Sequence, residues 1–210
     1  MQKQLFNKSY LSILLMVITI MLSCNHPKSF TNKNELLSYL NKGSNGYSQE
    51  ILSNNVSIKL TYQPTSLMVQ NELDEQVQFS KKVIDSLQKK YEGSYYFHLE
   101  FSKNGKEAIR QMDGFTDYSV LLQTLAFQMG DHIVLTTHQK DTVALGDYYF
   151  DQTYGMSSSN RLLISFDRSV IKKSDKLKIH IGECGFGTGD VKFEFERDRL
   201  DNAPWLKQLN

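Results

Sequence analysis

Between Val56 and Glu196 apolar and polar residues alternate in short runs, and a period of two marks strands that bury one face and wet the other. Val56, Ile58, Leu60 and Tyr62 interleave with Ser57, Lys59 and Thr61, and Pro64 ends that strand. Tyr95, Phe97, Leu99 and Phe101 oppose Tyr96, His98 and Glu100, and Asn104-Gly105 signals a tight turn. Leu125, Phe127 and Met129 lead to Gly130-Asp131, after which His132 to Thr137 reads as the returning strand of a hairpin. A turn at Gln139 to Asp141 then reverses the chain into Thr142 to Tyr149. Arg161 to Phe166 is densely apolar, while Leu177, Ile179 and Ile181, and later Val191, Phe193 and Phe195, alternate with charged or histidine side chains. Seven or eight short strands of this kind predict an antiparallel β-sandwich of immunoglobulin- or transthyretin-like type, with an open barrel as the alternative.

Two stretches keep a helical period instead. Asn34 can cap a short helix carrying Leu36, Leu37 and Leu40 on one face, ended by Gly43. Between Glu75 and Tyr91, Phe79, Val83, Ile84 and Leu87 share a face, with Gly93 where a cap is expected. The segment Phe115 to Gln128 reads as a short helical turn passing into a strand at about Leu122. The fold expected is therefore mainly β, with one or two short helices packed at the edge of the sandwich.

The front of the chain has a different pattern. Lys3 and Lys8 precede an almost continuously apolar run from Leu11 to Leu22, closed by Ser23-Cys24. That run is about 12 residues, against the roughly 20 that cross a hydrocarbon core, so a cleaved signal fits better than a permanent span. The ending resembles the bacterial lipobox, although Met21 stands where Leu is common. The resemblance implies removal of residues 1–23 and diacylation and acylation of Cys24. Residues 25–33, polar and containing His26-Pro27, read as a tether, so the expected organisation is 1–23 signal, 24–33 lipidated tether and 34–210 a single β-rich domain.

Processing changes the charge and the cysteine count. The full chain of 210 residues carries 24 basic and 23 acidic residues. Loss of Lys3 and Lys8 leaves 22 basic against 23 acidic, a net −1. No polybasic footprint for nucleic acid or acidic lipid remains, and attachment rests on acyl chains at about 0.8 kcal/mol per buried CH₂. The chain has 2 cysteines; with Cys24 lipidated, Cys184 has no partner within the chain and is expected to be buried or paired with another chain.

No motif brings recognisable chemistry with it. The five histidines show no metal-ligand spacing: His26 lies in the tether, His98 and His180 on the wet faces of strands, His132 and His138 near opposite ends of one strand. No metal or other cofactor is expected. Ser157 in Tyr154-Gly155-Met156-Ser157-Ser158-Ser159 lacks the second glycine of a nucleophile elbow. Gly185-Phe186-Gly187-Thr188-Gly189-Asp190 resembles a phosphate cradle but has strands on both sides, which favours a hairpin connection. Tyr148, Tyr149, Phe150 and Tyr154, with Trp205 in the tail, suggest an interaction surface; alternatively, alternate members fill the core and Trp205 pins the tail. Asp85-Ser86-Leu87 and Asp141-Thr142-Val143 look like the Asp-Ser/Thr-apolar sites at which Bacteroidota O-glycosylate exported proteins, with Thr142 the better placed.

The lipobox, Tyr62-Gln63-Pro64-Thr65-Ser66-Leu67, Tyr154-Gly155-Met156-Ser157 and Gly187-Thr188-Gly189-Asp190-Val191-Lys192-Phe193 are similar to small Bacteroidota lipoproteins without an assigned activity. Such a resemblance implies location and transfers no catalytic residue. The expectation is a non-catalytic binding or accessory subunit of an outer-membrane or envelope complex, held by acyl chains on Cys24 with a protein partner. Asn25 after the cysteine and no acid through Phe30 favour the outer membrane and its periplasmic face, with the cell surface the other option. A glycan or small-ligand binding module, and a hydrolase using His132 or His138 with Asp131 and Asp141, are the alternatives.

Overall fold

The computed structural model describes residues 28–73, 79–112, 114–137, 141–171 and 174–207. The lipobox, Cys24, His26 and His138 lie outside these residues. In chain order the elements are β1 (Ser29–Phe30), α1 (Lys33–Asn41), β2 (Ser48–Ser53), β3 (Val56–Gln63), α2 (Thr65–Glu72), α3 (Lys81–Glu92), β4 (Ser94–Lys103), β5 (Lys106–Glu107) and α4 (Phe115–Gln123). After a π turn (Thr124–Gln128) come β6 (Ile133–Thr137), β7 (Thr142–Ala144), β8 (Tyr148–Asp151), β9 (Asn160–Asp167), β10 (Lys176–Ile181), β11 (Val191–Glu196), α5 (Arg197–Asp201) and β12 (Trp205–Leu206).

The fold is mainly β, with antiparallel sheets facing each other. One sheet runs β2–β3–β4–β9–β8 with β5 on β4, the other β11–β10–β6–β7. Alternation decides which side chains lie between them. Ile58, Leu60, Phe97, Leu99, Leu162 and Ile164 point inward from the larger sheet, and Leu135, Leu177, Ile179 and Phe193 from the smaller, all with no solvent exposure. Phe97 meets Phe195 across the gap at 5.2 Å between ring centroids. At the open side, the Gln49 side chain donates to the Glu194 carbonyl and accepts from its amide at 3.2 Å, joining edge strand β2 to β11 as a strand would.

Several expectations need correction. The helix at the start is capped by Asn32, whose Oδ1 accepts from the Asn34 amide at 2.7 Å, and not by Asn34. Ser29–Phe30, placed in the tether, pairs in parallel with Trp205–Leu206, so the fold begins upstream of Asn34. Lys28 sits over the Phe30 and Tyr39 rings at 5.1 and 4.5 Å. More helices form than one or two: α2, α4 and α5 join α1 and α3. Leu125 and Met129 do not lead a hairpin; they continue α4 through the π turn, with Leu121, Leu125 and Met129 buried one turn apart and Phe127 exposed. The run Thr142 to Tyr149 divides, β7 pairing with β6 and β8 with β9 in the other sheet.

Cys184 is 4% exposed and its thiol is pushed up to about 12, first by burial and then by the Glu183 charge beside it. The native protein should therefore resist alkylation by iodoacetamide at neutral pH and take up the label at Cys184 once unfolded in urea. Rapid native labelling, followed by mass spectrometry, would contradict this burial.

Candidate functional site

The outer face of the larger sheet should be wet by alternation, yet its middle is a groove. Register lines its side chains up in rows across the strands. One row reads Glu50, Lys59, Glu100, Arg161, Asp151 from β2 to β8, charges alternating strand by strand. The next reads Ser48, Thr61, His98, Leu163, Tyr149. Neighbouring strands are about 4.8 Å apart, so each row places groups from distant parts of the chain side by side.

Helices turn this face into a concavity. At one end α2 and α3 pack on it, burying Met68, Val69 and Tyr91 against Tyr96 and Leu163. Along one side runs α1, where Lys33, Leu37 and Asn41, each four residues apart, face the sheet as one stripe. Ser158 and Ser159 close another side. The groove so formed encloses about 720 Å³, within the usual range for ligand sites. Its lining is unusual for its polarity: of the 16 described residues that line it, Leu37 alone has an apolar side chain, and Gly105 has none.

The ionic groups in the groove are unevenly satisfied. Glu100 Oε1 accepts from Arg161 Nε and Nη2 at 3.0 and 2.8 Å and from the Ser159 hydroxyl at 3.2 Å. Glu50 accepts from the Ser57 hydroxyl. Lys59 Nζ donates to Asn41 Oδ1 at 2.7 Å, and among the described residues neither Lys59 nor Lys33 has a carboxylate within 4.0 Å. His98, expected on a wet face, is shielded: burial first, then the Arg161 charge, outweigh Glu100 and pull its imidazole down to about 4. It is therefore neutral at pH 7, one ring nitrogen a donor and the other an acceptor. Gln63, 2% exposed, donates to the Thr61 carbonyl at 3.2 Å while its Oε1 has no hydrogen-bond partner among the described residues.

The residues singled out from sequence fall elsewhere. Tyr148 turns inward, its hydroxyl accepting from the Met129 amide at 3.3 Å, while Tyr149 stands exposed on the outer face of the same strand. Tyr154 is exposed on the β8–β9 loop, and Trp205 is exposed on β12, where its backbone N–H donates to the Lys28 carbonyl at 3.0 Å beside β1. Tyr148 and Tyr149 thus face opposite sides of β8. Thr142 is exposed at the start of edge strand β7. His132 precedes β6 and Asp141 pairs by its carbonyl with Thr137 at the far end, about 16 Å along the strand, so His132 and Asp141 are not brought together. No cluster of three His, Cys, Asp or Glu able to hold a metal occurs among the described residues, and no described helix is long and apolar enough to cross a membrane.

Both glycine loops are organised by carboxylates that sequence reasoning passed over. The amides of Gly185, Gly187 and Gly189 converge on Glu183 at 2.7, 2.8 and 2.6 Å. Burial alone would raise the Glu183 carboxyl, but these three amides and Thr188 outweigh it and hold it below its ordinary range. The cradle is thus filled by the protein's own anion. Similarly, Glu107, 3% exposed, accepts from the amides of Gly155 at 2.9 Å and Ser157 at 3.3 Å and from the Thr153 hydroxyl. Ser157 is part of a turn wrapped on a buried carboxylate, and the adjoining Ser158-Ser159 reaches the groove.

No family model and no curated protein matches the chain. Among solved structures it is similar to a protein of unknown function from Burkholderia pseudomallei, at 8% identity and a TM-score of 0.42, over 81% of this chain and 91% of that one.

Proposed function

We propose that this protein is a lipid-anchored, non-catalytic binding module of the cell envelope, and that its ligand is a saccharide seated in the groove beside α1. The observation that supports this reading is the lining itself: some 720 Å³ bounded by hydroxyl, amide, imidazole and charged side chains, a surface matched to a hydroxyl-rich ligand that brings its own donors and acceptors. The anchor is Cys24, at the outer membrane and facing the periplasm, as expected of a Bacteroidota-type lipoprotein. Lys33 on the groove wall follows Cys24 by nine positions, which at about 3.5 Å each keeps that end of the groove within about 32 Å of the lipidated residue.

The test is to titrate the full-length protein in detergent against a panel of envelope saccharides, alongside Ser102→Trp, which fills the groove from its floor without leaving a cavity. At least one saccharide should bind, and the variant should lose it by about tenfold or more. Binding untouched by Ser102→Trp would remove the groove from the account.

A second reading is an accessory subunit docking a protein partner. Phe115, Phe127 and Met156 favour it, being 83%, 79% and 86% exposed, since large apolar side chains in water suit an interface. Mild detergent extraction of native membranes should then recover a stoichiometric companion; an unaccompanied monomer argues against it.

A further inference from the structure

The saccharide reading can be narrowed by charge. Within the groove Lys33, Lys59 and Arg161 stand against Glu50 and Glu100, with His98 neutral. Arg161 is committed to Glu100 by two hydrogen bonds, and Glu50 keeps its charge beside the neutral Ser57 hydroxyl, so these five groups leave one net positive charge in the groove. Lys59 is fixed by Asn41, a neutral acceptor that orients the ammonium without cancelling its charge. Lys33 and Asn41 lie eight residues apart on α1, about 12 Å along the helix, so the two lysines, neither in an ion pair among the described residues, sit near opposite ends of one wall. A carboxylate in the ligand would complete either of them with a charge-assisted bond.

Resting on the saccharide reading, we infer that the groove takes an acidic oligosaccharide, its anionic groups set against Lys59 and Lys33 and its hydroxyls bonded within the groove. A carboxylate and a sulfate share this chemistry, so the probes are trigalacturonate, a sulfated carrageenan oligosaccharide and neutral maltotriose, titrated calorimetrically against the full-length protein in detergent. At least one anionic probe should bind about tenfold or more tightly than maltotriose. Lys59→Gln, which keeps an amide for Asn41, should remove about tenfold of that affinity and so close most of the gap to maltotriose. Whether the carboxylate or the sulfate probe binds more tightly identifies the anion. Equal binding of all three overturns the acidic preference and leaves the saccharide reading standing, whereas failure of all three overturns both. An anionic preference untouched by both Lys59→Gln and Lys33→Gln overturns the assignment to this groove.

Discussion

Glu107→Ala should unfold at markedly lower urea concentration than the natural chain, with a loss of about 3 kcal/mol. Glu107 is almost wholly buried and is the shared acceptor for the Gly155 and Ser157 amides and the Thr153 hydroxyl. Arg110 stands 3.7 Å away as its counter-charge. The turn it holds includes Tyr154 at φ 53 and Gly155 at φ 88, left-handed positions that cost energy for a tyrosine and are retained because the carboxylate fixes the amides. Alanine leaves those donors without a partner and Arg110 without a counter-charge, each at a cost of about 1–3 kcal/mol, partly recovered by water entering the loop. Glu107→Gln keeps an acceptor of the same shape and should lose only about 1 kcal/mol. Equal midpoints for Glu107→Ala and the natural protein would show that the loop stands without it. Because Ser158 and Ser159 line the groove just beyond this turn, the alanine variant should also bind groove ligands less tightly.

Much of the sandwich was legible in the chain because its strands bury one face only. Val56, Ile58, Leu60 and Tyr62 on β3 and Leu177, Ile179 and Ile181 on β10 are buried at every second position, as their alternation requires. Where the period failed, the cause is specific. Leu125, Phe127 and Met129 alternate by accident of composition; the pattern that governs them is Leu121, Leu125 and Met129 at intervals of four, a helical signal overlaid on an apparent strand. Helix α2 had no such signal, since Leu67, Met68 and Val69 are all buried between sheet and helix and leave no polar stripe to read. Pro64 was seen as the end of β3, and it is, but it also caps the start of α2.

The groove was hidden for another reason. Each of Glu50, Lys59, Glu100 and Arg161 is plainly an outward residue of its own strand, but that they form one row depends on β9 pairing with β4 across more than fifty residues of intervening chain. Nothing local in the sequence states that neighbour. The same holds for Glu183 and Glu107, which are unremarkable as letters and become organising groups only when the Gly185–Gly189 and Thr153–Ser157 amides fold onto them. His98 shows both halves of the lesson: the alternation put it on the polar face correctly, while the helices that shield it come from segments outside its strand.

That shielding makes His98 the source of an acid instability. In the unfolded chain its imidazole titrates near the ordinary 6.5; in the fold it is held down to about 4. Above pH 6.5 both states are neutral there and the residue contributes no pH dependence. As pH falls through 6.5 the unfolded state takes up a proton that the folded state refuses, so stability declines, and the decline ends near pH 4 when the folded imidazole is charged as well. The span corresponds to at most about 3 kcal/mol, at about 1.4 kcal/mol per pH unit. Arg161 opposes protonation and Glu100 favours it from the same strand row, while Lys59 and Glu50 face the groove beyond. His180, also held low by partial burial and by Lys192 and Lys178, tilts the curve in the same direction. The Glu72, Glu183 and Glu194 carboxyls, lowered in the fold, lose their contribution only below the ordinary carboxyl range. The measurement is therefore a difference: urea unfolding from pH 7 to pH 4 for the natural chain and for His98→Gln, which keeps a neutral hydrogen-bonding side chain. The natural protein should lose about 2–3 kcal/mol more across that window than the variant. Parallel curves would mean that the imidazole is open to water, and with it that the groove floor is less enclosed than α1 and α2 make it.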